Sequence, residues 1–172
     1  MIKIEYLKNF PEYLQTVVEW VYPEWWQSRY TFNEVVEIYK TVLNDHILPI
    51  GLIAFENDKP VGTALICEDD PDIKLGISPW LEGLYIKKDH RKCGIGKTLI
   101  MKIEDIATNF GYTNLYLSSG LENFYEKMNF IEIKRLENGD SLFEKKLNTQ
   151  KVNYKDWKKD SERVQEEEEE PI

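Results

Sequence analysis

Apolar and polar positions recur along most of this chain with a period that identifies the element. Ile2 to Leu7 alternates and reads as a short strand. After Pro11, the residues Leu14, Val17, Val18 and Val21 recur at helical spacing on one face, and Pro23 ends that helix. A second helix opens at Thr31, which stands three residues before Glu34 as in a capping box, turns Val35, Ile38 and Val42 inward, and stops at Asn44-Asp45. Ile50 to Glu56 and Val61 to Cys67 read as an antiparallel hairpin around Asn57-Asp58-Lys59-Pro60. Leu81 to Ile86 has the continuous apolar character of a buried strand. From Lys97 to Phe110, the residues Leu99, Ile100, Ile103, Ile106, Ala107 and Phe110 mark one buried helix face, and Gly111 caps its end. Asn114 to Ser119 is another strand and Leu121 to Met128 a short helix. Ile131 to Leu136 and Ser141 to Lys146 are two more strands, turned by Asn138-Gly139.

The order is therefore βααββ, then strand, loop, helix, strand and helix, then ββ. It predicts an α/β (α+β) domain over residues 1–147, with a mixed, mostly antiparallel sheet of about seven strands and about four helices distributed over both faces. From Asn148 to Ile172 the periodicity stops. Five basic residues stand against eight acidic ones there, including the run Glu166 to Glu170. With almost no apolar surface to offset its ordering entropy, this tail is expected to be disordered or loosely helical.

Composition narrows the possible partners. A formal net charge of −9 over 172 residues argues against nucleic acid, which draws on broad basic surfaces. No apolar run is long enough to span a bilayer and the N-terminus has no apolar signal core, so a cytoplasmic protein without membrane attachment is expected. Cys67 and Cys93 are too few for a disulfide framework, and with His46 and His90 they offer no metal-ligand spacing, so no metal site is expected.

Against that acidic background, Arg91, Lys92 and Lys97 gather in one loop with Gly94 and Gly96, between a strand and a helix. Free N–H groups of a first helical turn, the positive end of the helix dipole and a backbone bare of side chains make such a loop a phosphate site. Gly96-Lys97-Thr98 matches the end of a nucleotide-binding P-loop, but Arg91 occupies the place of its first glycine and the next strand ends in serines rather than an aspartate. A dinucleotide fingerprint would need glycine at Leu99.

The loop resembles instead the acyl-CoA pyrophosphate loop of the GNAT superfamily of N-acyltransferases, Arg/Gln-x-x-Gly-x-Gly/Ala after a strand, which Arg91, Gly94 and Gly96 fit in full. Asn123-Phe124-Tyr125-Glu126-Lys127-Met128-Asn129-Phe130 is similar to the closing block of the same family. The element order from Ile2 to Lys146 also agrees with that fold. The resemblance implies acetyl transfer from acetyl-CoA to a primary amine of a small molecule or peptide. It places the backbone of Cys93, Gly94, Ile95, Gly96, Lys97 and Thr98 around the pyrophosphate, Arg91 and Lys92 near the phosphates, Tyr85 and Ile86 along the pantetheine, and Asn123 as a further cofactor contact.

It also implies two catalytic groups. Tyr125 is the expected acid, since a phenol stays protonated at neutral pH and can donate to a departing thiolate; the competing reading is a tyrosine that packs between helix and sheet. Glu82 is the candidate base, a carboxylate inside an apolar strand whose pKa desolvation would raise. Gly83 beside it permits a bulge. A strand residue paired with a lysine is the alternative. For the acceptor, Trp25, Trp26, Asp69 and Asp70 suggest an aromatic-walled, cation-attracting pocket, against a reading of rings as core and acids as a solvated turn. A non-catalytic acyl-CoA-binding module and a P-loop nucleotide binder remain as other functions.

Overall fold

The structure, a computed structural model, describes residues 1–149. The predicted tail from 150 onward lies outside the described residues. Seven strands form one sheet: β1 (Ile2–Tyr6), β2 (Ile50–Glu56), β3 (Lys59–Cys67), β4 (Trp80–Ile86), β5 (Asn114–Ser119), β6 (Ile131–Arg135) and β7 (Ser141–Lys146), in the order β1-β2-β3-β4-β5-β7-β6. Every neighbouring pair is antiparallel except β4 with β5.

Among the described residues there are three α-helices, α1 (Leu14–Val21), α2 (Phe32–Lys40) and α3 (Ile95–Asn109), rather than about four. The missing one is the helix expected over Leu121 to Met128, of which only a 3-10 turn, Glu126–Met128, exists. Asn123 has φ +63°, in the left-handed region that an α-helix excludes, and eight residues are too few to repay nucleation without strong packing. Asn129 closes the turn with φ +67°, a conformation that its short side chain tolerates.

α1 and α2 cover one face and α3 the other. Leu14, Val17, Val18 and Val21 pack with Ile53, Phe55 and Leu65 of the sheet, as the helical spacing predicts. α2 differs from its prediction by one step of rotation: Val35, Tyr39 and Val42 are buried, while Ile38 is exposed. The inward set runs at i, i+4 and i+7, and the larger tyrosine takes the core position. Its capping box is present in full, with the Glu34 N–H donating to Thr31 Oγ1 at 3.3 Å and the Thr31 N–H donating to Glu34 Oε2 at 2.7 Å. On the other face Leu99, Ile100, Ile103, Ile106 and Ala107 of α3 join Leu52, Ala64, Leu81 and Leu117 in the larger core, whereas Phe110 lies at the surface.

Two irregularities of the sheet matter for function. β4 and β5 share a single paired position, Trp80 with Tyr116, so no ladder joins Leu81–Ile86 to the remainder of β5. In addition, Leu65 pairs with Glu82 and Thr63 with Tyr85, which leaves two residues of β4, Gly83 and Leu84, opposite the single residue Ala64. That is a bulge, and Gly83 sits in it at φ +57°. A Cβ at this glycine would lie 3.2 Å from the Tyr39 hydroxyl, so both backbone conformation and space demand glycine.

Candidate active site

α3 begins without a side-chain cap. Gly94 occupies its N-cap position at φ +82°, and the Thr98 N–H makes the first intrahelical bond, to the Gly94 carbonyl at 3.1 Å. The N–H groups of Ile95, Gly96 and Lys97 precede that bond and have no helical acceptor. Lys92 is also left-handed, at φ +64°, so two residues of this loop, Lys92 and Gly94, stand in the left-handed region. A Cβ at Gly94 would have nothing within 4 Å, so the approach to these amides is open.

The loop is fastened to β4 by Arg91. Its Nε donates to the Ile86 carbonyl at 2.8 Å and its guanidinium lies 5.6 Å from the centre of the Tyr85 ring, which stacks in turn on Trp20. Arg91 thus engages a carbonyl on the strand segment assigned to pantetheine. Lys92, Cys93, Lys97 and Thr98 are exposed, and the Ile95 side chain is buried in the core, which leaves only its backbone for a ligand. Phe124 reaches across to this helix start, within 3.4 Å of where a Gly96 Cβ would be. Asn123, next to it, lines a different cleft of about 240 Å³ with Gly120, Glu126 and Arg135.

Tyr125 is buried, 6 % exposed, among Phe124, Phe130 and Phe143 with ring centres 4.9 to 5.8 Å away. Packing is therefore real. Its hydroxyl nevertheless interacts with Ser119, the last residue of β5, and burial pushes its pKa up to about 12. The phenol holds its proton firmly at neutral pH.

Glu82 lies on the α1–α2 side of β4, at the edge of the bulge. Burial pushes its carboxyl up to about 8, with Asp70 and Asp72 adding repulsion and the Cys67 thiol opposing the rise. Its Oε1 is shut off from solvent and makes no hydrogen bond. A buried carboxylate oxygen without a donor is costly, so this residue is not the lysine-paired strand position of the alternative reading. Asp70 is half-buried, and its Oδ1 accepts from the Asp72 N–H at 2.7 Å and the Ile73 N–H at 3.1 Å. Burial, set against those bonds, moves its pKa upward. Asp72 is held down by Arg29, whose two terminal nitrogens donate to its two oxygens at 2.7 and 3.1 Å. Trp26 packs edge-on against Tyr39 beneath this region, while Trp25 and Asp69 are exposed. The structure thus joins Asp70 and Trp26 to the surroundings of Glu82, and leaves Trp25 and Asp69 at the surface.

Sequence reasoning missed Tyr39, Cys67 and the Arg29–Asp72 pair. Tyr39 lay on a helix whose inward face was misplaced by one position, and Cys67 was considered only for disulfides and metals. No local signal marks Cys67 as a neighbour of Glu82, because their register is set across the long connection between β3 and β4. Among the described residues no cluster of His, Cys, Asp and Glu is arranged to hold a metal ion. No helix there is long and apolar enough to cross a membrane. A second cleft, about 550 Å³ between Asp72–Leu75 and Lys134–Asn138, like the first, does not include Glu82, Tyr125 or the Arg91–Thr98 loop.

The acetyltransferase (GNAT) family model matches residues 12–130. The chain belongs to the GNAT acetyltransferase family. Acetyl-CoA is the cosubstrate of this family. Solved structures of similar fold include the PaiA N-acetyltransferase from Thermoplasma acidophilum in complex with coenzyme A, at 23% identity and TM-score 0.61 over 85% of this chain and 99% of that one. An aminoglycoside 6'-N-acetyltransferase complexed with coenzyme A matches at 19% identity and TM-score 0.66, over 85% and 96% of the two chains. An N-acetyltransferase from Staphylococcus aureus Mu50 matches at 18% and 0.68, over 86% and 99%. A search of curated proteins finds no match. At these identities the structural likeness establishes the GNAT fold.

Proposed function

We propose that this GNAT protein transfers the acetyl group of acetyl-CoA to a primary amine by direct attack in a ternary complex. The observation that carries the reading is the Glu82 carboxyl at the edge of the β4 bulge, with a buried Oε1 that makes no hydrogen bond, on the same strand that leads into the open amide row at the start of α3. The amide row and its lysines suit the pyrophosphate, with Gly94 leaving room for its approach. Glu82 accepts a proton from the acceptor amine, whose nitrogen then bonds to the thioester carbonyl carbon. As the C–S bond breaks, Tyr125 supplies a proton to the thiolate, while the surplus proton on the newly bonded nitrogen is lost to solvent, from which the Tyr125 phenol is restored. Asp70 and Trp26 favour an acceptor that arrives as a cation, by charge and by the ring face.

Release of free thiol from acetyl-CoA, measured with a panel of primary amines, tests the reading. Turnover is expected with at least one amine and should fall as pH drops through about 8, where Glu82 takes up its proton. Glu82→Gln should remove that limb and lower kcat by about a hundredfold or more. Two acceptors of different amine pKa separate the groups: a limb set by Glu82 stays, and one set by the amine moves. Acetyl-CoA binding with no thiol release from any amine would favour a non-catalytic binding module.

A further inference from the structure

Arg91 ties the amide loop only to the strand just before it, since its Nε bond to the Ile86 carbonyl spans five residues. Two further contacts fix the loop against the body of the protein. Downstream, Ile95 packs in the larger core, 1 % exposed. Upstream, Lys88–His90 form a 3-10 turn after β4. The Lys87 N–H there donates to the Val61 carbonyl of β3 at 2.9 Å, and His90 Nδ1 lies 2.5 Å from Glu56 Oε2, 34 positions earlier in the chain. A carboxylate oxygen accepts, so this bond has its proton on Nδ1. Glu56 is the last residue of β2 and is paired on both sides, with Ile2 of β1 and Lys59 of β3, so the acceptor stands on a fixed part of the sheet.

We propose that His90 and Glu56 are positioning residues for acetyl-CoA, a clip between β2 and the turn before Arg91 that holds the loop amides in place for the diphosphate. The inference rests on the reading of Arg91–Thr98 as the diphosphate site. Between the clip and Ile95, the residues Lys92, Cys93 and Gly94 are exposed, and the Cys93 thiol donates within the segment, to the Arg91 carbonyl at 3.4 Å. Lys92 stands at φ +64° without being glycine, a conformation that costs energy and persists where the chain on either side is held. Releasing the upstream end lets this segment leave that conformation, and the ligand must then order it on binding, which weakens affinity. The His90 and Glu56 side chains are 28 and 30 % exposed, and a pair so open to water adds little to global stability. Its effect is therefore local, on the loop that follows it.

The test compares His90→Ala, Glu56→Ala and the double variant with two that keep the bond. In His90→Asn the side-chain amide still donates from near the place of Nδ1, and in Glu56→Gln the amide oxygen still accepts. Calorimetric titration of the full chain with acetyl-CoA should show a dissociation constant raised by about fivefold to tenfold in each alanine variant. The double variant should lie within about twofold of the weaker single one, because both residues act through one bond. His90→Asn and Glu56→Gln should bind within about twofold of the wild type. With an amine that reacts, kcat at saturating acetyl-CoA should change less than about twofold while the acetyl-CoA KM follows the dissociation constant. Should an alanine variant fail to fold, Glu56→Met keeps the length of the side chain without the acceptor and carries the same expectation. Unchanged affinity in the alanine variants, additive losses in the double one, or a loss that asparagine and glutamine do not restore overturns the proposal. A separate readout is the 15N order parameter of Lys92, Cys93 and Gly94 in the ligand-free alanine variants, which should fall from the rigid range near about 0.85 towards about 0.6. If the order parameters fall while acetyl-CoA affinity is unchanged, the clip holds a loop that is not the diphosphate site, and it is the cofactor reading that falls.

Discussion

The proposed cofactor side of the site is one contiguous stretch, Arg91 to Thr98, made almost wholly of backbone, whereas the proposed acceptor side draws on separate parts of the chain: Trp26 from the first connection, Tyr39 from α2, Cys67 from β3, Asp70 from the loop beyond it and Glu82 from β4. The first is exposed and its groups are available because a helix has to start somewhere. The second is half-buried apart from the fully buried Tyr39, and its groups are perturbed because they are packed together: Glu82, Cys67, Tyr39 and Asp70 are all shifted upward with burial as the leading cause. Binding a diphosphate needs only many fixed dipoles at one spot. Taking a proton near neutral pH needs a carboxyl moved well above its usual range, and only the packing of several elements achieves that.

Three experiments strain this contrast. Loss of the Tyr125 hydroxyl should produce the largest effect, because it touches chemistry while the ring keeps its packing against Phe130 and Phe143. Tyr125→Phe is expected to lower kcat by about a hundredfold or more while the acetyl-CoA dissociation constant changes less than about twofold. A loss confined to binding would make the residue a packing element. On the cofactor side, Gly94→Val puts a branched side chain into the left-handed N-cap position, where phosphate is to approach, and acetyl-CoA affinity should fall by about tenfold or more. A folded variant with unchanged affinity, judged by circular dichroism and calorimetric titration, would remove the loop from the site.

The third experiment concerns stability on the acceptor side. Glu82 has its folded-state pKa raised from 4.5 to about 8, so the protonated form is the one the fold favours. Its contribution is fully present below about 4.5 and is lost as pH rises through about 8. Glu82→Gln cannot ionise, so its Tm relative to the wild type should rise across that window and level off above it. The gain should be on the order of a few kcal/mol, or roughly 5–10 °C. A Tm difference that is the same at pH 5 and pH 9 would show that the carboxyl titrates normally, and the contrast between the two sides would disappear.

The conformation of the Arg91–Thr98 loop was legible from residues alone because it is local. Glycine at 94 and 96, basic residues around them and an apolar 3.6-residue period beginning at once afterwards state a conformation that eight neighbouring residues can adopt by themselves. Strand and helix periods likewise determined the order of the strands and of the three α-helices, and the three-residue spacing of Thr31 and Glu34 the capping box. The same reasoning failed where a short segment had no partner to decide for it, as in the absent helix after Leu121, and where two faces of a helix were nearly equivalent, as at Ile38 and Tyr39. Gly83 announced that a bulge was possible. Only the pairing of β3 with β4 could make it one, because a bulge is a relation between two strands. Tertiary structure alone decided that β4 and β5 share a single pair, that Cys67 lies diagonal to Glu82, and that Oε1 is buried without a donor. Desolvation depends on every neighbour brought in by the fold, so the pKa of Glu82, unlike the geometry of the Gly94 loop, belongs to no single stretch of sequence.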